Sequence, residues 1–242
     1  EALRVDVRAK GSLAPVVSAD RYSTLVNQPI TISPLDNDRS GSGKPLRFDR
    51  PGLDGTGYEV RLYRQGVAET RPDCWHDLFG ALVWLTFPRA KAALNRRHFD
   101  ALNHAPLPGA ARTRGPVRDA LTQFDECGLI VLCADGTDSD SLWQGIRAHR
   151  WREVFVERRE DVRSKLGFLL FGHGSYDALR APFHGLCAKA WAFACPPALL
   201  AAPLATQIDR ADAALADFLT RTADLAPRHW QPLPLSGIPG VM

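Results

Sequence analysis

At 242 residues the chain can form one large domain or two small ones, and a single domain of this length hides roughly 70% of its unfolded surface, enough for a sizeable core. Thirty Lys and Arg stand against 27 Asp and Glu, a net charge of +3, with the basic residues spread among acids. That distribution argues against nucleic acid or an acidic membrane as the main partner.

The five cysteines, Cys74, Cys127, Cys133, Cys187 and Cys195, fall at irregular spacings with no pair two residues apart, which argues against a disulfide framework or a zinc knuckle. Their apolar surroundings point to reduced thiols and a cytoplasmic home. The longest apolar stretch, Trp191 to Ala202, is interrupted by Pro196-Pro197 and is too short to span a membrane.

In chain order, residues 1–43 read as an extension with short strands at Leu3 to Val7, Val16-Val17 and Ile30 to Ile32, closed by a polar loop from Asp36 to Gly43. A soft boundary near Lys44 opens a single domain over residues 44–242. Alternation in Tyr58 to Tyr63 predicts a strand. Asp73 then stands as N-cap of a helix running to about Thr86, apolar almost all round and therefore expected to be buried. Pro88 opens an amphipathic helix through Asn103, with Ala92, Leu94, Phe99 and Leu102 against Lys91, Arg96 and Arg97. A linker from Pro106 to Pro116 precedes a short helix over Val117 to Glu126, closed by Gly128.

The apolar runs Leu129 to Ala134 and Leu166 to Phe171 predict buried strands. Ser141 to Arg150 and Glu153 to Lys165 read as helices, and His173 to Leu179 as a helical turn or two. Ala188 to Ala202 and Asp209 to Leu225 also read as helices. The fold expected is α+β, mainly helical, with a small β-sheet around one buried apolar helix.

Five blocks follow one another along the chain: Thr70-Arg71 with the helix beginning at Asp73, Arg118-Asp119-Ala120-Leu121-Thr122, Phe124-Asp125-Glu126, Phe171-Gly172-His173, and Leu233-Pro234 with Gly237-Ile238-Pro239-Gly240. Upstream, Pro45-Leu46-Arg47-Phe48 and Tyr58-Glu59 fit the same pattern. From roughly residue 44 to the end the chain resembles the bacterial Domain of Unknown Function 3025 family. The resemblance implies Asn where this chain has Gly80, and Glu where it has Asp177; it implies no reaction.

The candidate chemistry lies in histidines and acids. His76 falls in the first turn of its helix, where the unpaired amides favour a neutral imidazole fit for metal ligation, and where the same dipole favours Asp77. His173 and Asp177 are four residues apart and share a helix face, a spacing for two ligands of one metal or for a histidine oriented by a carboxylate. Glu126, at the negative end of its helix, calls for a cation, an amide or a metal. Arg118 and Asp125 share a side of that helix, and Arg118 pairing with acids is the plain alternative.

Other patterns fail. The Asp36-x-Asp38-x-Ser40-Gly41 opening of a calcium loop meets Arg47 where a bidentate Glu is needed, and Gly41 to Pro45 lacks the elements of a phosphate loop. Ser175 lacks the glycine frame of a nucleophile elbow.

The first functional expectation is therefore a hydrolase. Its catalytic residues are His76, Asp77, His173 and Asp125, and its metal ligands His76, His173, Asp177 and Glu126 around zinc, manganese or iron. The alternative is a non-catalytic binding or scaffold protein whose polar motifs are structural. In either case the partner is a small molecule or a protein and not a membrane. A weaker third reading, nucleic-acid binding, rests on Arg112, Arg114, Arg118 and the Arg158 to Lys165 helix.

Overall fold

A computed structural model of the chain describes residues 3–7, 20–24, 39–52, 55–103 and 115–240. Strands β1 (Leu3–Val7) and β2 (Asp20–Thr24) pair antiparallel with one another. The strands expected at Val16-Val17 and Ile30 to Ile32, the start of the loop at Asp36, and most of the Pro106 to Pro116 linker lie outside the described residues.

Strand β3 (Arg47–Asp49), helix α1 (Tyr58–Gln65) and strand β4 (Val67–Glu69) form the first unit of the main body, with β3 and β4 parallel. The strand expected at Tyr58 to Tyr63 is thus a helix. Its alternation coexists with a helical face on which Leu62 is buried, and Gly66, at φ 71°, supplies the left-handed C-cap that only a helix needs.

Helix α2 (Trp75–Thr86) begins one residue later than expected because Asp73 takes a left-handed conformation, φ 54°, leaving Cys74 as the extended N-cap. Nor is α2 buried all round. Ala81, Val83 and Trp84 face the interior, whereas Trp75 is 51% exposed and Leu82 41%. Helix α3 (Pro88–Asn103) starts at Pro88 as the sequence predicts, and Asp212 accepts from the amides of Arg89 (3.2 Å) and Ala90 (2.8 Å), capping it from another element.

Helix α4 (Pro116–Cys127) leads into β5 (Gly128–Ala134), buried at every position. Then come α5 (Thr137–Arg147), a π-helical turn at Glu153–Glu157, α6 (Arg159–Lys165), β6 (Leu166–Leu170), α7 (His173–Ala178), β7 (Cys187–Cys195), α8 (Pro197–Leu200), α9 (Leu204–Arg221) and β8 (Gln231–Pro234). Helix α5 therefore starts before Ser141, and the charged helix expected over Glu153 to Lys165 is broken by the π turn.

The helix expected over Ala188 to Ala202 is mostly strand. In Cys187-Ala-Lys-Ala-Trp-Ala-Phe-Ala-Cys, alanine recurs at every second residue, the period of a pleated sheet, and this outweighs alanine's helix propensity.

The main sheet has the order β6-β5-β7-β8, with β5 parallel to β7 and antiparallel to β6. Period-two alternation sends Ile130 and Leu132 to one face, against Leu121, Phe124, Leu215 and Trp230, and Leu129, Val131 and Cys133 to the other, against Leu142, Ile146 and Val162. The result is α+β and mainly helical, with β5 at its centre in place of the apolar helix. Among the described residues, no helix is long and apolar enough to cross a membrane.

Candidate functional site

Three helices bring their polar ends to one cleft of about 740 Å³. From α2 comes His76, from the last turn of α4 Asp125 and Glu126, and from the first position of α7 His173. The crossing of α4 and α7 depends on glycine. A Cβ on Gly172 would stand 2.5 Å from the Glu126 carbonyl and the Gly128 amide nitrogen, and one on Gly174 2.5 Å from Glu126 Oε2. The amides of Phe171 and Gly172 both donate to the Gly128 carbonyl, tying the end of β6 to the start of β5 and setting His173 beside Glu126.

His173 Nδ1 donates to the Asp125 carbonyl at 2.7 Å, so its Nε2 carries the lone pair. That Nε2 lies 3.0 Å from His76 Nε2 and 3.6 Å from Glu126 Oε1, and His76 Nε2 is 3.8 Å from the same oxygen. Ligand atoms about 2 Å from a tetrahedral ion stand about 3.3 Å apart, so the three separations suit one small divalent cation. Burial lowers the His173 pKa below its usual 6.5, favouring the neutral ring that ligation requires. Gly80 lies under this ring: a Cβ there would be 3.6 Å from His173 Cδ2, ordinary contact distance.

The other acids stand differently. Asp125 is buried, which alone would raise its pKa, but Lys91 Nζ at 2.5 Å, together with His173 and His98, outweighs this and holds it below the usual range. Asp77 lines the cleft, yet its oxygens accept from the Arg71 amide, Nε and a terminal guanidinium nitrogen, each at 2.8 Å. Those Arg71 hydrogen bonds bring its pKa down to about 2. Asp177 is not with the other expected ligands: four residues beyond His173, its carboxylate pairs with Arg180 at 2.9 Å. Arg118 does not pair with acids, and makes no hydrogen bond or ion pair with any described residue. Within the helix expected to offer a basic surface, Arg158 pairs with Asp161, Arg163 with Glu160, and Lys165 with Asp138 and Asp161; Arg112 and Arg114 lie outside the described residues.

Sequence reasoning passed over a second polar group in the same cleft. Lys91, Asn95 and His98 are all buried on α3, and Asn95 Nδ2 donates to Glu59 Oε2 at 2.8 Å. His98 Nε2 lies 4.0 Å from Glu59 Oε1. Burial raises the Glu59 pKa to about 7. The signal was present: positions 91, 95 and 98 are spaced i, i+4, i+7, one face of a helix. Lys91, assigned to the solvated side, belongs instead to this inward stripe.

No curated protein and no solved structure matches the chain. The family described as "Protein of unknown function (DUF3025)" matches residues 49–242, a stretch that holds every residue named above in the cleft. With four-fifths of its length matched and all five sequence blocks inside that range, the chain belongs to the DUF3025 family.

Proposed function

We propose that the chain is a metal-dependent hydrolase in which His76, His173 and Glu126 hold one divalent cation, zinc, manganese or iron. The carrying observation is that one ligand atom from each lies within 4.8 Å of the others at the wall of a solvent-reached cleft. Three protein ligands leave a fourth position for water, the pattern of catalytic rather than structural sites. A cation there would lower the pKa of its water and polarise a carbonyl or phosphoryl oxygen.

The chain's own groups fit that task. His173 is presented neutral, its tautomer set by the Asp125 carbonyl, and Lys91 keeps Asp125 ionised and in place. Asp77 shapes the cleft rim through Arg71 and takes no part in proton transfer. Glu59 is the proton-transfer group. It lines the same cleft, faced by Lys91, Asn95 and His98 from α3 and by Arg118 and Asp125 from α4, with a pKa of about 7. We assign the site to a single domain over residues 44–242 of a cytoplasmic protein, with residues 1–43 as an extension and a small molecule as substrate.

Elemental analysis of protein purified without a histidine tag tests this. One divalent ion per chain is expected, lost in His76→Ala and in Glu126→Gln. Glu59→Gln should keep the ion and lose turnover across a panel of chromogenic esters, phosphoesters and anilides. A parent chain that takes up none of zinc, manganese or iron would refute the metal site. A second reading, binding without catalysis, is supported by the 3.0 Å His76 to His173 hydrogen bond, which satisfies both facing ring nitrogens without an ion. On that reading His76→Ala lowers thermal stability and changes no metal content.

A further inference from the structure

We infer that Arg118 forms an anion subsite in the cleft, so that the substrate of the proposed hydrolase carries a carboxylate or phosphate group apart from the bond it loses. Among the described residues, three cationic side chains other than histidine line this cleft, Arg71, Lys91 and Arg118. Two are consumed: Arg71 by Asp77 and Lys91 by Asp125. Arg118 has no described carboxylate within 4.0 Å, and its Nε is buried without a hydrogen-bond partner. Glu59 faces it from α1, but the Glu59 carboxyl is engaged by Asn95.

A guanidinium that lines a cleft without a counter-ion favours an anion there, and Arg cannot lose its proton to escape. A carboxylate or a phosphate supplies that countercharge, accepting from the terminal guanidinium nitrogens, since the buried Nε lies out of its reach. Lysine in the same place would offer only a point charge.

Position on the helix adds a dimension. Arg118, Thr122 and Glu126 are successive turns of one face of α4 and all line the cleft. Eight residues of α-helix separate the Cα atoms of Arg118 and Glu126 by about 12 Å. A ligand held at both ends of this face places its anionic group a few bonds away from the atom presented to His76, His173 and Glu126. That geometry excludes the smallest esters and fits an amide or ester whose far end is charged.

The choice of substrate rests on the hydrolase reading, whereas the anion subsite does not. Metal-stripped protein is therefore titrated calorimetrically with inorganic phosphate and, separately, with succinate. We expect one or both to bind at one site per chain, at least tenfold more weakly to Arg118→Gln, severalfold more weakly to Arg118→Lys, and unchanged to Arg163→Gln, an exposed arginine outside the cleft. Which anion binds tells phosphate from carboxylate. Absence of binding by both anions overturns the subsite, as does undiminished affinity in folded Arg118→Gln. Should that variant not fold, undiminished affinity in Arg118→Lys overturns it equally. Binding of the anion by a chain that takes up no metal leaves the subsite standing and removes the hydrolase reading alone.

Discussion

The ammonium of Lys91, whose side chain is only 4% exposed, sits 2.5 Å from the Asp125 carboxylate, so neither charge can be removed without stranding the other. Lys91→Ala should destabilise the chain by about 3 kcal/mol, the cost of an unpaired buried charge, read as a lower urea midpoint. Lys91→Ala should also weaken metal binding, because Asp125 carries the carbonyl that orients His173. Glu59 and Asp212 govern pH dependence. Both have pKa values raised to about 7, mainly by burial, so between their ordinary range and 7 the folded chain holds more protons than the unfolded one. Stability therefore falls as pH rises through that window, and is fully reduced above 7. His173, lowered by burial, acts in the opposite sense, costing stability as pH falls below 6.5. From pH 5.5 to 8, Glu59→Gln should remove about 2 kcal/mol of the wild-type decline in unfolding free energy. At this scale the sequence made His76, His173, Asp125 and Glu126 legible, since imidazoles and end-of-helix carboxylates demand partners. Lys91, Asn95 and His98 stayed hidden because a second, inward polar stripe on α3 looks in sequence like part of its solvated side.

Each helix end at the site is held by another element. Asp212 on α9 caps α3 through the amides of Arg89 and Ala90, and Asp212→Ala should cost about 1–2 kcal/mol, seen as a lower melting temperature. The glycines at the α4 and α7 crossing act by absence. Gly174→Ala places a methyl 2.5 Å from Glu126 Oε2, forcing that carboxylate aside, and should weaken zinc affinity about tenfold with little loss of fold. Elements with one strong signal were readable: α3 from Pro88 and its amphipathic period, β5 from an unbroken apolar run, α9 from its apolar spacing. Helix α1 and strand β7 were not, because each short stretch satisfies both periods, and tertiary packing decides between them. In α1 burial of Leu62 and the Gly66 cap decide, and in β7 the pairing of Leu129 with Ala190 and Ile130 with Trp191.

Among the described residues, the two largest apolar cores share strands: β5 contributes alternate residues to each, and β6 and β7 also send residues to both. Neither core can melt while the other keeps β5 in place, so the main body should unfold in one step. Urea transitions followed by tryptophan fluorescence and by far-ultraviolet circular dichroism should coincide; separated midpoints would show independent units. The mainly helical α+β class was legible from element types alone. Sheet order was not, since the parallel pairing of β5 with β7 joins residues about sixty positions apart and leaves no local trace. Nor did an apolar composition reveal that α2 keeps Trp75 and Leu82 toward solvent. The candidate ligands come from three helices far apart in the chain, α2, α4 and α7. An ion seated among them would work as a buckle: the unfolded chain cannot close it, and heat resistance should climb with free cation, by about 2.7 kcal/mol at a hundredfold excess over its dissociation constant.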